Sequence, residues 1–163
     1  MMEELKYCPS TLKEGYSTYS PEACRKLFGG KHVSHILDFD SPNNNSADSS
    51  DYVEHIGRIS LAGFQPKGAL VLRNGSLSIP KEGKQSQYIL KPAPASHALL
   101  ERKYCPANEH LTMQMAAQAY GIETAANALC FSATVRRPIL PNGLMWHPTA
   151  RNTRRRTLHL WQD

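Results

Sequence analysis

The rhythm of apolar and polar positions changes several times along this chain, and each change marks an element. From Gly15 to Gly30, GYSTYSPEACRKLFGG predicts a short helix. Ser20 is a capping residue, Pro21 suits the first helical position, Glu22 complements the N-terminal dipole, Gly29 ends it, and Leu27 and Phe28 anchor it by burial. Residues 41–51, SPNNNSADSSD, contain no apolar residue except Ala47, which predicts a flexible polar linker. The pattern then sharpens. GALVLR, from Gly68 to Arg73, is an apolar run, Asn74-Gly75 is the preferred pair for a type I′ turn, and SLSIP alternates, so a β-hairpin is predicted. QYIL followed by Lys91 and Pro92 reads as a third strand that the proline stops. PAPASHALLERKYCP is a connection with room for one helical turn.

Residues 107–120, ANEHLTMQMAAQAY, are rich in helix formers, with Pro106 before them and Gly121 placed to cap the end. Positions 109, 113, 116 and 120 fall along one face, so Glu109 is expected to share an inward face with Met113, Ala116 and Tyr120. NALCF (127–131) reads as another strand of the same sheet. After Ser132 the periodicity stops: RRPILPNGLMWHPTARNTRRRTLHLWQD shows neither sustained helical nor strand alternation, and no fold is assigned to it.

Composition narrows the class. At 163 residues the chain suits one small domain. The start, MMEELKYC, has no apolar core region and no run is long enough to cross a bilayer, so a cytoplasmic protein without a membrane anchor is expected. Cys8, Cys24, Cys105 and Cys130 are scattered without a CxxC, which favours small buried thiols over disulfides. Zinc is not expected, because Cys8 and Cys24 lack two further ligands and His32 and His35 show no ligand spacing. The net charge of +5 comes entirely from residues 133–163, which hold six arginines (Arg136, Arg137, Arg151, Arg154, Arg155, Arg156) and one acid, Asp163. The rest is balanced, so nucleic acid is an unlikely partner for the body of the chain.

Two features carry chemistry. A loop of small residues, LAG, before the hairpin can bring backbone N–H groups close to anionic oxygens, although by itself it reads first as an ordinary turn into a strand. Lys91, at the end of a buried strand, must lay its stem on apolar surface while its ammonium reaches a partner or an anion. Glu109 on the following helix is the candidate partner; the alternative is a surface lysine that snorkels to water.

The run ISLAGFQPKGAL, the later YILKP and then NEHLTMQMAAQAYGIE, in that order and spacing, resemble the HipA-like serine/threonine protein kinases. The similarity is strongest to the short, HipT-like toxin kinases, whose N-terminal region also has a segment like Gly15 to Thr18. It covers roughly residues 8–132 and only the N-terminal, ATP-covering part of such a kinase. The resemblance implies that Ser60, Leu61, Ala62, Gly63, Phe64, Gln65, Pro66 and Lys67 correspond to the glycine-rich loop. ATP contacts are thus implied for Ala62, Gly63, Phe64, Gln65 and Lys67, and Ser60 matches an autophosphorylated serine. It further implies that Lys91 contacts ATP phosphates and that Glu109 pairs with it. Ala62 replaces a second loop serine found in some relatives, so a double-serine switch is not expected. Implied partners are a HipB-like antitoxin or a small HipS-like subunit, with an aminoacyl-tRNA synthetase as substrate.

Phosphoryl transfer also needs a base and carboxylate or amide ligands for magnesium. Nothing after Ser132 resembles the segments that supply them, so no catalytic residue or metal ligand is assigned, and Mg would enter only with a complementary catalytic lobe. The expected fold is α+β, a small antiparallel sheet with a packed helix like the N-lobe of a HipA-type kinase, with an irregular C-terminal tail. It divides into 1–40 (a segment with a short helix), 41–58 (linker), 59–132 (the ATP-covering unit) and 133–163 (a basic, unpatterned tail, for which a frameshift is one of the open explanations). The expected function is that of a truncated toxin kinase, inactive alone. The alternatives are a non-catalytic protein that binds an antitoxin or a complementary kinase fragment, and a nucleic-acid binder acting through the Arg-rich tail with Trp146 and Trp161.

Overall fold

A computed structural model describes residues 5–37, 39, 67–81, 86–93, 102–132 and 143–146 of the chain. Helix α1 spans Pro21–Phe28 and forms for the predicted reasons. The Ser20 hydroxyl accepts from the Ala23 N–H at 3.2 Å, and Gly29 takes a left-handed conformation at φ 62° while the Gly30 N–H returns to the Cys24 carbonyl. Strand β1 (Ile36–Leu37) follows, then β2 (Gly68–Arg73), β3 (Ser76–Ser78) and β4 (Tyr88–Pro92). A single 3₁₀ turn, Arg102–Tyr104, leads into α2 (Cys105–Tyr120), and β5 (Asn127–Ser132) and β6 (Gly143–Trp146) complete the order.

The fold is mixed α and β, with a six-stranded sheet in the order β1-β5-β6-β4-β2-β3. Every pairing is antiparallel except β1 with β5, which is parallel. The β2–β3 hairpin turns on Asn74 (φ 48°) and Gly75 (φ 78°), both positive as a type I′ turn requires. Strand β4 ends at Pro92, and α2 ends at Gly121 (φ 65°). The helix begins two residues earlier than the sequence pattern indicates, because Pro106 sits within the first turn, where its missing N–H leaves no bond unmade.

The stretch after Ser132 is where the sequence reading needs correction. Gly143–Trp146, within the segment read as irregular tail, is a strand that inserts between β4 and β5. Its four residues GLMW show no alternation, and a run that short is indistinguishable by period from any other apolar segment. The linker 41–58 and the arginines from Arg151 onward lie outside the described residues.

One core joins the N-terminal segment to the sheet. Cys8, Tyr19, Ala23, Cys24, Leu27, Phe28, Val33 and Leu37 pack with Leu70, Leu77, Tyr88, Leu90, Ala128 and Cys130. Phe28 stacks at a tilt on Tyr19 and Tyr88 with ring centroids 5.3 and 5.7 Å apart, and the Tyr88 hydroxyl donates to the Leu27 carbonyl at 3.1 Å. Aromatic pairs of this kind add to area burial, about 0.5–1.5 kcal/mol each. The Tyr19 hydroxyl donates to the Leu129 carbonyl, and Leu129 N–H donates to Pro9. Cys8 is fully buried. Burial pushes its thiol up, but hydrogen bonds from Thr11 and Ser20, whose backbone N–H groups donate to its sulfur, outweigh that and hold it below the usual thiol range. Along β4 the side chains of Tyr88, Leu90 and Pro92 alternate with Ile89 and Lys91, so the face opposite this core carries the lysine. Among the described residues, no helix is long and apolar enough to cross a membrane, and no three His, Cys, Asp or Glu are grouped to hold a metal ion.

Candidate functional site

Lys91 lies on β4, flanked on one side by β2 and on the other by β6, where its backbone is in register with Leu144. Its ammonium donates to Glu109 Oε1 on the second turn of α2. The side chains are 20% and 31% exposed, a setting in which an ion pair contributes about 1 kcal/mol or less. Its main effect is geometric. The lysine stem is held along the sheet, with the ammonium at a partly open position where an anion can approach it.

The β2–β4 register sets what else lies at this end. Gly68 opposes Leu90, so Lys67, one residue before β2, enters the sheet at the end where Lys91 sits. Ser60, Ala62, Gly63, Phe64 and Gln65 themselves lie outside the described residues.

The inward face of α2 is rotated by about one residue, or ~100°, from the expected one. Pro106 and His110 are its buried residues, Glu109 and Met113 are half-buried, and Tyr120 is 72% exposed at the end of the helix. The cause is polar. His110, Gln114 and Gln118, spaced i, i+4 and i+8, face the sheet and the N-terminal segment. His110 Nδ1 lies 2.6 Å from Asn127 Oδ1, and the same oxygen accepts from Gln114 Nε2 at 3.1 Å. Gln118 Nε2 donates to Gln114 Oε1 and to the Thr11 carbonyl. Asn127 is fixed from three further directions: its amide donates to the Ala125 carbonyl, its carbonyl accepts from the Ser10 hydroxyl at 2.8 Å, and its backbone lies in β5.

Because Asn127 Oδ1 is an acceptor, His110 carries its proton on Nδ1 and bonds as the donor. Its Nε2 is buried without a partner among the described residues. Burial holds the imidazole below the usual histidine range, with the Asn127 hydrogen bond acting in the opposite direction. Sequence reasoning passed over His110 and Asn127. The available signal was three polar residues at helical spacing immediately after Glu109.

The site is thus a central-strand lysine ion-paired to a helix glutamate within a small α+β domain. Residues 59–139, just under half of the chain, match the family model of the HipA-like C-terminal domain, which supports the HipA family in broad terms. The match is to the family's C-terminal domain. It begins at residue 59, whereas the resemblance read from the sequence started near residue 8, and it extends past Ser132. No curated protein matches the chain.

Proposed function

We propose that this chain is the nucleotide-binding portion of a HipA-family kinase of toxin–antitoxin type, which holds ATP without transferring its phosphoryl group unaided. The observation that carries the reading is the Lys91–Glu109 pair between a central strand and a helix, the arrangement by which protein kinases aim a lysine at nucleotide phosphates. The residues present suit a polyphosphate: a partly exposed ammonium is oriented by a carboxylate, and Lys67 precedes β2 at the same end of the sheet. Bound ATP would supply the phosphates; Lys91 would hold them, and Glu109 would hold Lys91. Lys67, Ala62, Gly63, Phe64 and Gln65 are assigned to the covering loop, and Ser60 to autophosphorylation in a complete kinase, by family resemblance.

Magnesium and a base for the accepting hydroxyl have no counterpart in this sequence, so transfer to a synthetase awaits a complementary lobe. Titration calorimetry with ATP and radiolabel transfer test the proposal together. The expected result is saturable binding, lost by about tenfold or more in Lys91→Ala, with no label on the protein. Absence of binding by the folded chain refutes nucleotide recognition, and label on Ser60 refutes the inactive reading.

A second reading is favoured by Leu111, Met115, Tyr120 and Ile122, all about half or more exposed on and just beyond α2. Exposed apolar side chains in this number suit a chain that is covered by an antitoxin, a small HipS-like subunit or the remainder of a kinase. Co-purification with such a partner, unaffected by Lys91→Ala, separates it from the nucleotide reading. Nucleic-acid binding through the terminal arginines is tested by salt-dependent retention that disappears on deleting 151–163.

A further inference from the structure

Directional hydrogen bonds, beside partly buried Met113 and Ala116, tie helix α2 to the body of the protein. The helix's buried residues are one proline and one histidine, and the row His110, Gln114, Gln118 runs from buried through half-buried to exposed. A cavity of about 560 Å³ opens beside this ladder, lined in part by Ser10, Thr11, Gln114, Ala117 and Asn127, so close packing does not fix the helix there. Apolar contact tolerates rotation of a helix about its axis, whereas a hydrogen bond with its donor and acceptor both buried does not. Asn127 Oδ1 takes His110 and Gln114 together, one turn apart, and so reads the rotational setting of α2 directly. A slip of one residue, ~100°, would carry Glu109 away from Lys91.

We propose that His110 is a positioning residue: its Nδ1–H bond to Asn127 sets the rotation of α2 that brings Glu109 to Lys91, and the N-terminal segment locks that setting through Ser10 and Thr11. The inference deepens the nucleotide reading by naming what controls its ion pair, and it rests on that reading only for its functional consequence. The N-terminal segment thereby reaches the site at second hand. Ser10 holds the Asn127 backbone from one side, and the Thr11 carbonyl holds the far end of the ladder through Gln118.

Two near-isosteric substitutions separate positioning from mere packing. In His110→Asn the amide nitrogen falls where Nδ1 was, so the bond to Asn127 is kept; in His110→Gln the nitrogen falls near the position of Nε2, and the bond is lost. The readout is the nuclear Overhauser contact between the Lys91 and Glu109 side chains in the nucleotide-free protein, with backbone shifts confirming that α2 is helical. The expected result is a contact retained in wild type and His110→Asn and lost in His110→Gln, with a matching tenfold or greater loss of ATP affinity in the Gln variant only. Retention of the contact in a folded His110→Gln overturns the proposal, as does its loss in His110→Asn. If the Gln variant does not fold, Gln118→Ala decides: it cuts the Thr11 end of the ladder, and an undiminished Lys91–Glu109 contact there refutes locking by the N-terminal segment. A wild-type protein that shows the contact yet binds no ATP refutes the nucleotide reading and leaves the positioning inference to be decided by the contact alone.

Discussion

Lys91 and Glu109 stand 18 residues apart in sequence and on different elements, yet the ammonium of one donates directly to the carboxylate of the other. The pair is partly exposed, so its removal is expected to disturb function and leave the fold. Lys91→Ala and Glu109→Gln should each lower stability by about 1 kcal/mol or less. Chemical denaturation checks this. A loss of several kcal/mol in either variant would show that the pair is a structural anchor and weaken its assignment to a ligand.

Acid should destabilise the protein earlier than carboxylate titration alone would. Burial lowers the imidazoles of both His110 and His35 from the ordinary value of 6.5. A histidine kept neutral in the fold contributes its full stability above the unfolded value and loses it as the pH falls below about 6.5, because only the unfolded chain then takes up the proton. The loss is at most ~1.4 kcal/mol per pH unit per histidine and levels off below each folded value. Thermal melts from pH 7.5 to 5.5 should show a falling midpoint, and His110→Asn should flatten the slope. An unchanged slope in that variant would mean that His110 is not buried as a neutral group.

The four thiols should be distinguishable by reactivity. Cys105 is half-buried at the start of α2, while Cys8, Cys24 and Cys130 are buried, and burial pushes the Cys130 thiol up to about 12. A thiol-specific reagent at neutral pH should label Cys105 first and the rest only on unfolding. Rapid labelling of Cys130 in the native protein would contradict its place in the core.

Truncating the N-terminal anchor tests whether the first 37 residues belong to the same cooperative unit as the sheet. Leu27 is buried in the shared core, and its carbonyl accepts from Tyr88. Leu27→Ala should cost about 2–5 kcal/mol and shift a single unfolding transition as a whole. Two separable transitions would show that the N-terminal segment folds by itself.

Much of this architecture was legible from local chemistry. Ser20 and Gly29 bound α1, Asn74-Gly75 makes the hairpin turn, and Pro92 and Gly121 end β4 and α2, because each depends on a residue whose backbone preference is intrinsic. The Lys91–Glu109 partnership was one of two readings open from the residues, the other being a lysine that snorkels to water, and the family resemblance implied it. What escaped depends on neighbours that only the tertiary structure supplies. Gly143–Trp146 is a strand because β4 and β5 stand ready on either side, and four apolar residues carry no period of their own. The inward face of α2 was assigned by apolar positions, whereas Asn127, a residue on another element, draws the polar His110 inside.

The place of β6 also bears on how the protein comes off the ribosome. Strands β4 and β5 are not neighbours; they meet only through a strand made later, so every earlier residue can be synthesised while the middle of the sheet is still missing. Until residues 143–146 emerge, β4 and β5 each present an unpaired edge to other chains. The last of the described strands to be made thus decides whether the newborn chain closes on itself or is captured by a neighbour.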